Sequence, residues 1–239
     1  MIYIYDNIIF SKSVDEHLVH LEEVFRRLCD ANVKLNPKKC SFVKQRLDYL
    51  GHVVTLEGIS PNTDKVRVIQ EFPTPTKLKE LMSFLGFANY YRRFVRGFSN
   101  IANPLNALTK KNAPFDWTVA CVAAFDKLKR ALVSAPILAH PNFREPFLLF
   151  VDASSTGIGF TEAQIQNAKE VVIAYNARGL NRVDQNYSTT EREALALVEG
   201  IKKLQPYLHN RNFTVVTDRS SLRWSLSSER ILSIFVHAT

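Results

Sequence analysis

The sequence predicts an α+β first part followed by an α/β domain in which helices flank a sheet. Two apolar runs that each end on an acid point to the second part. Residues 147–151 (FLLFV) lead into Asp152, and residues 213–217 (FTVVT) lead into Asp218. Between them, YSTTEREALALVEGIKKL has the apolar spacing of an amphipathic helix and carries Glu191 and Glu193. The first part instead intersperses short β-rich runs with amphipathic helices, without regular strand–helix repetition.

Each element of the second part has a physical reason. Strands that finish on Asp, with a helical Glu between them, gather carboxylates at the carboxyl edge of a sheet, where open α/β folds place ligands. Clustered carboxylates repel one another and protonate if left alone. As hard oxygen donors they suit Mg²⁺, and two such ions can clamp the attacking and leaving oxygens of a phosphodiester. Ser188 and Glu191 form the capping-box pattern S-x-x-E, which gives Glu191 a structural task. Glu193 lies about 200° round the helix from Glu191 and has no capping role, so it is the candidate ligand. Leu195, Val198, Ile201 and Leu204 form the apolar stripe, with Leu197 beside it. The same acids are also ordinary residues at strand ends and helix starts, so spacing alone leaves both readings open.

DAS…GIG, AYNARGL, NYSTTEREALALV, KKLQPYL and FTVVTDRSSLRW resemble the ribonuclease H domain of gypsy-type LTR retrotransposon polyproteins, over nearly all of residues 147–226. The resemblance implies an α/β ribonuclease H-like domain with a mixed sheet. It makes Asp152, Glu193 and Asp218 the catalytic, metal-binding carboxylates of a two-metal Mg²⁺ site acting on RNA–DNA hybrid. Two departures stand out. The family uses a fourth Asp well downstream, past the last residue here, Thr239, and Arg219 stands where the family usually has His. Where the family follows GIG with apolar A-V-L, this chain has Phe160-Thr161-Glu162, and a buried Glu destabilises unless it is paired. After Trp224 the likeness fails. The tail SLSSERILSIFVHAT predicts a domain incomplete at its C-terminus, without its last helix and strand and with one sheet face uncovered.

Composition narrows the remaining possibilities. Apolar residues make up 46% of 239, enough for real cores. No run of 18 apolar residues spans a membrane, and MIYIYDNIIFSK lacks the basic start and cleavage site of a secretory signal. Cys29, Cys40 and Cys121 fit neither a disulfide framework nor a zinc site. The expected location is intracellular, in a cytoplasmic particle or the nucleus, and not secreted. Residues 1–146 hold 21 Lys and Arg against 14 Asp and Glu, and residues 147–239 hold 10 against 9. Such asymmetry fits a first part that touches a polyanion, and equally fits solvated helix faces.

In chain order, IYIYDNIIF reads as a strand or hairpin interrupted at Asp6-Asn7. It resembles the Y-L-D-D-I-L-V-F-S hairpin of gypsy-type reverse transcriptases, with Tyr5 at the first acid position, so Asp6 is a vestigial polymerase acid. A phenol with a pKa near 10 does not replace a Mg²⁺-binding carboxylate. The family's fingers and earlier palm would precede Met1, and polymerase activity is not expected of this chain. Ser13 to Asn32 reads as a helix with a Ser13/Glu16 capping box; His17 and His20 share a face but lack a third ligand. Residues 34–60 read as short strands rich in Lys38, Lys39 and Lys44. Tyr49-Leu50-Gly51-His52 resembles the family's primer-grip hairpin, which implies that Gly51 and His52 approach a nucleic-acid backbone; Gly51 also suits a plain hairpin bend. Pro61 is expected in the first turn of a helix, PTPT at 73–76 is a stiff linker, and a longer helix runs from Lys77 to about Val95. ELMSFLGFANYYRRFVRGFS resembles the family's thumb segment. Its Arg92, Arg93 and Arg96 are candidates for a phosphate track, while its aromatics read as core. FDWTVACVAAFDKLKRALVSAPILAHPNF resembles the connection that follows.

The expected domains are therefore 1–60, the end of a palm; 61–112, thumb-like helices; 113–146, a connection; and 147–239, a ribonuclease H-like domain. The intact parent of such a segment would copy RNA into DNA and hydrolyse RNA in hybrids, joined to a protease and an integrase. The alternative is a decayed or host-adopted remnant that at most binds nucleic acid.

Overall fold

A computed structural model describes the backbone of residues 2–3, 6–208, 212–217 and 232–236, and the side chains of 7–208 and 212–217. Tyr5, Asp218, Arg219 and Trp224 lie outside the described residues, and of Asp6 only its strand is described. The chain divides into two units, Met1–Leu56 and Glu57–Thr239, so the expected thumb-like, connection and nuclease segments fall within the second.

In the first unit, β1 (Ile2–Tyr3) pairs antiparallel with β2 (Asp6–Asn7), so Asp6-Asn7, expected to interrupt this run, themselves form a strand. Helix α1 (Val14–Asp30) starts where expected, with Ser13 Oγ accepting from Glu16 N. The Glu16 carboxylate reaches Lys12 N, one residue outside a true capping box. His17 and His20 both turn to Ser11 Oγ, at 3.2 and 2.7 Å. Strands β3 (Leu47–Tyr49) and β4 (His52–Val54) form a tight antiparallel hairpin. Its two turn residues, Leu50 and Gly51, both have positive φ, 47° and 71°. That is the conformation a two-residue hairpin needs, because it matches the strand twist.

The second unit opens on β5 (Ile59–Pro61), and Ile59 exchanges both backbone hydrogen bonds with Leu138 at 2.8 Å. Helix α2 (Thr63–Gln70) begins after Pro61, not at it: the Asn62 side chain caps the helix by accepting from Asp64 N and Lys65 N. An Asx cap fixes the start, and the proline stays in the preceding extended residue. Helix α3 (Leu78–Tyr90) then ends earlier than its apolar spacing predicts and passes into a 3-10 turn at Arg92–Phe94. Helices α4 (Phe98–Ala107) and α5 (Val119–Val133) complete a helical layer. Its core includes Ile69, Leu81, Phe84, Leu105, Phe125, Leu128 and Leu132, with the rings of Phe84 and Phe125 4.5 Å apart. Helix α5 thus packs with α2 and α4, and this core reaches Ala177 of the sheet.

The sheet comprises β6 (Phe147–Ala153), β7 (Gly157–Gln166), β8 (Lys169–Gly179), β9 (Phe213–Thr217) and β10 (Leu232–Val236), in the order β10-β9-β6-β7-β8. β6, β7 and β8 are antiparallel neighbours, whereas β9 and β10 run parallel to β6, so the sheet is mixed as expected. The expectation of a missing last strand is corrected here. The tail supplies β10, in register with β9 from Leu232 opposite Phe213 to Val236 opposite Thr217. ILSIFV is a β-branched and aromatic run, and that suits a parallel strand even where the family motif is absent.

Helix α6 (Thr189–Lys203) covers one face, followed by the short α7 (Gln205–Leu208). Its buried face is Glu193, Ala196, Leu197, Gly200 and Leu204; Val198 is exposed, and Leu195 and Ile201 are half-buried. The helix is therefore rotated from the stripe its largest apolar residues suggest. Small residues at 196 and 200 let it sit close to the sheet: a Cβ at Gly200 would meet Leu149 and Phe160 at 3.4 Å.

Candidate functional site

The candidate centre lies where β6 ends. Phe147, Leu149 and Val151 point into the core beneath α6, and the alternation of a strand sends Asp152 outward as an exposed carboxylate. Among the described residues no side chain hydrogen-bonds it. Glu193 comes from the first turns of α6 and is buried, 1% exposed, with Oε1 accepting from Ala153 N at 3.1 Å. The helical acid therefore docks on the residue following the strand acid, and the structure brings these two candidates to one place.

The register of β9 against β6, Phe213 opposite Phe147 to Val216 opposite Phe150, runs toward the same sheet edge. β9 ends at the buried Thr217, and the third candidate, Asp218, lies outside the described residues. Among the described residues no group of three potential metal ligands forms. Glu191 does what the sequence assigned it: Ser188 N donates to Glu191 Oε2 at 2.7 Å and Glu191 N to Ser188 Oγ at 3.3 Å. The Ser188 bonds hold its carboxyl below the usual carboxylate range.

The turn after Asp152 is held from two sides. Arg192 Nη1 donates to Ser154 O at 3.1 Å from α6, and Asn100 of α4 accepts from Ser154 Oγ at 2.9 Å and Thr156 Oγ1 at 3.3 Å. The sequence assigned neither residue a role, because each meets the turn only across a long stretch of chain. Past β8, Arg178 Nη1 bonds Asp184 Oδ2 at 2.8 Å, which with the Asn181 amide holds the Asp184 carboxyl low. That ion pair fixes the loop feeding the cap of α6.

Glu162 lies on β7 opposite Leu149, at a bulge in the pairing with β8. It is fully buried, and neither carboxylate oxygen has a hydrogen-bond partner among the described residues. Burial pushes its pKa up to about 8, against the pull of the Arg93 charge.

The basic candidates divide by location. Lys38 and Lys39 occupy an exposed 3-10 turn (Pro37–Lys39), and Lys44 is exposed. Gly51 and His52 sit at the tip of the β3–β4 hairpin, with His52 Nδ1 2.8 Å from Leu50 O. The three arginines are not equivalent. Arg92 donates through Nη2 to Ala177 O and lies 5.4 Å over the Phe98 ring, and burial lowers its pKa. Arg93 lies 5.9 Å over Phe94 with a buried Nε. Arg96 is exposed. Arg92 also lines an open cavity of about 710 Å³ between the helical layer and β8, which Asn89, Asn176 and Lys203 share.

Comparison with known proteins places these features in a family. Residues 117–215 match the ribonuclease H-like domain found in reverse transcriptase, and residues 1–54 match reverse transcriptase (RNA-dependent DNA polymerase). The chain is 40% identical over 225 residues to the retrovirus-related Pol polyprotein from transposon 297 of Drosophila melanogaster, covering 94% of this chain and 21% of that protein. It is 35% identical over 239 residues to the Pol polyprotein from transposon gypsy of the same organism, covering 95% and 23%. With the transposon Tf2-3 polyprotein of Schizosaccharomyces pombe it shares 31% identity, covering 95% and 17%. The chain thus spans about a fifth of the length of these relatives. In fold it is similar to a foamy viral protease-reverse transcriptase solved with an RNA/DNA hybrid, at a TM-score of 0.79 and 23% identity, covering 96% of this chain and 34% of the other.

Proposed function

We propose, for a chain that belongs through residues 1–54 and 117–215 to the reverse transcriptases and ribonucleases H of retrotransposon Pol polyproteins, that its chemistry is divalent-metal hydrolysis of the RNA strand of RNA–DNA hybrids. The observation that carries this reading is the docking of the buried Glu193 carboxylate on Ala153 N, beside the exposed Asp152. Asp152 and Glu193 offer hard, anionic oxygen donors, which fits Mg²⁺, and Asp218 is the third donor the reading requires. Bound there, Mg²⁺ would polarise the phosphodiester and lower the pKa of an attacking water. The chain's own residues orient the acids: β6 fixes the Asp152 backbone, Ala153 N anchors Glu193, and the Ser188–Glu191 cap sets the start of α6. Exposed Lys38, Lys39, Lys44 and Arg96 would hold backbone phosphates without reading sequence. The polymerase hairpin retains only Asp6, with Tyr5 at the other acid position, so we assign it no DNA synthesis. The place of action is intracellular.

A second reading has its own observation. Glu162 puts into the sheet a carboxyl without a hydrogen-bond partner among the described residues, a destabilising feature that a remnant freed from catalysis would tolerate. Incubation of the full chain with end-labelled RNA in a hybrid, with Mg²⁺ or Mn²⁺, separates the two. The enzyme reading expects weak RNA cleavage that Asp152→Asn and Glu193→Gln each abolish. No cleavage with either metal leaves the non-enzymatic remnant, and cleavage that survives both substitutions rules out these two acids as its source.

A further inference from the structure

A helix outside the nuclease sheet reaches its candidate metal site. The turn that follows Asp152 has the sequence Ala153-Ser154-Ser155-Thr156-Gly157. Ser154 organises it internally: Ser154 Oγ accepts from Gly157 N at 3.0 Å and Thr156 N at 3.3 Å, and Ser154 N donates to Gly157 O at 2.8 Å. The single Ser154 hydroxyl proton has two acceptors in reach, Gly157 O at 2.8 Å and Asn100 Oδ1 at 2.9 Å. Thr156 Oγ1 also donates to Asn100 Oδ1, at 3.3 Å. Asn100 Oδ1 thus sits over two hydroxyls of one turn, 54 and 56 residues away in sequence. The approach is close: a Cβ on Gly157 would lie 2.5 Å from Asn100 Oδ1 and would push the Asn100 amide away. On the opposite side the same turn is tied to α6, through Ala153 N to Glu193 Oε1 and Ser154 O to Arg192 Nη1. Its far end is tied to the end of β8, through Leu180 N to Thr156 O at 2.9 Å.

We propose that Asn100 is a positioning residue for the metal site. From the helical layer it fixes the Ser154–Gly157 turn, and through that turn the Asp152 carboxylate and the Ala153 amide that anchors Glu193. The inference rests on the ribonuclease H reading of these acids. Groups that orient a ligand from outside the coordination sphere commonly govern metal affinity by ten- to a hundredfold. Asn100 contributes only an acceptor here, so a side chain that keeps the acceptor keeps the function, and an isosteric apolar one loses it. Metal affinity at the sheet edge consequently reports whether α4 is docked.

The test compares the full chain with Asn100→Leu and Asn100→Asp by two readouts. Amide hydrogen exchange without metal reads the turn; titration with Mn²⁺, followed by the paramagnetic signal of the free ion, reads the site. Asn100→Leu is expected to speed exchange at Thr156 and Gly157 about tenfold and to weaken Mn²⁺ binding about tenfold, with the amides of α5 still protected to show that the fold is intact. Asn100→Asp is expected to retain both properties. Unchanged exchange in Asn100→Leu overturns the proposal, and so does faster exchange with unchanged Mn²⁺ affinity. If the unsubstituted chain binds no Mn²⁺, the metal-site reading falls first and takes this inference with it.

Discussion

The two units of this chain solve the problem of burial differently. In residues 1–56, among those described, only Leu21 and Val53 of the large apolar side chains are buried, while Phe10, Leu18, Val19, Phe42 and Leu56 are exposed. Its strands are two or three residues long and its one long helix buries a single residue. Residues 57–239 instead hold two continuous cores, one within the helical layer and one between α6 and the sheet. Apolar content alone does not make a core. The first unit is as amphipathic as the second, but among its described residues no second layer faces α1, and a folded unit needs at least two layers to hide its apolar faces.

That contrast is open to direct attack, first at its largest consequence. Residues 57–239 produced alone are expected to melt cooperatively, whereas residues 1–56 alone are expected to show no sharp transition, since so small a buried area does not offset chain entropy. A cooperative transition in the isolated first unit would undo the comparison.

The second unit carries a weakness of its own at Glu162. Its folded pKa, about 8, stands above an ordinary value of 4.5. The folded state therefore binds the extra proton between those values, and stability falls as pH rises through that window, by up to about 1.4 kcal/mol per pH unit. Below the window the penalty is absent, and above it the penalty is fully expressed. Glu162→Leu is expected to raise the melting temperature, with a gap over the unsubstituted chain that widens from pH 5 to pH 8. Parallel melting profiles for the two proteins across that range would show that Glu162 does not titrate in this window.

A smaller effect is expected at the α6 cap. Ser188→Ala removes the acceptor for Glu191 N and should cost about 1 kcal/mol of stability, read by denaturant unfolding of the full chain. A loss well under that would mean the helix start is fixed by Glu193 and packing instead. Smallest is the separation of the arginines. Arg96→Ala should lower the salt slope of hybrid binding by about one without moving the melting temperature. Arg92→Ala should lower the melting temperature, because Arg92 is bonded to Ala177 O. Equal effects of the two on the slope would erase the distinction.

The legible parts of this fold were those with local rules. The caps at Ser13 and Ser188, the strand–acid–turn at Asp152, and the capping task of Glu191 all follow from a few neighbouring residues. What escaped the sequence depends on partners far along the chain. The rotation of α6 comes from close approach at Ala196 and Gly200, and β10 exists because β9 offers a parallel edge. Asn100 gains its role only when α4 packs against a turn more than fifty residues away. The inequality of Arg92, Arg93 and Arg96 likewise depends on β8 and Glu162, not on their own neighbourhood.

The central claim is that Asp152 and Glu193, with Asp218, hold a divalent metal at the end of β6. Anomalous diffraction at the manganese edge, from crystals of the full chain soaked in Mn²⁺, tests it most directly. The expected result is an anomalous peak roughly 2.1 Å from carboxylate oxygens of Asp152 and Glu193, with Asp218 completing the set. A well-ordered sheet edge without a peak, or a peak bound elsewhere while these carboxylates stay bare, would contradict it.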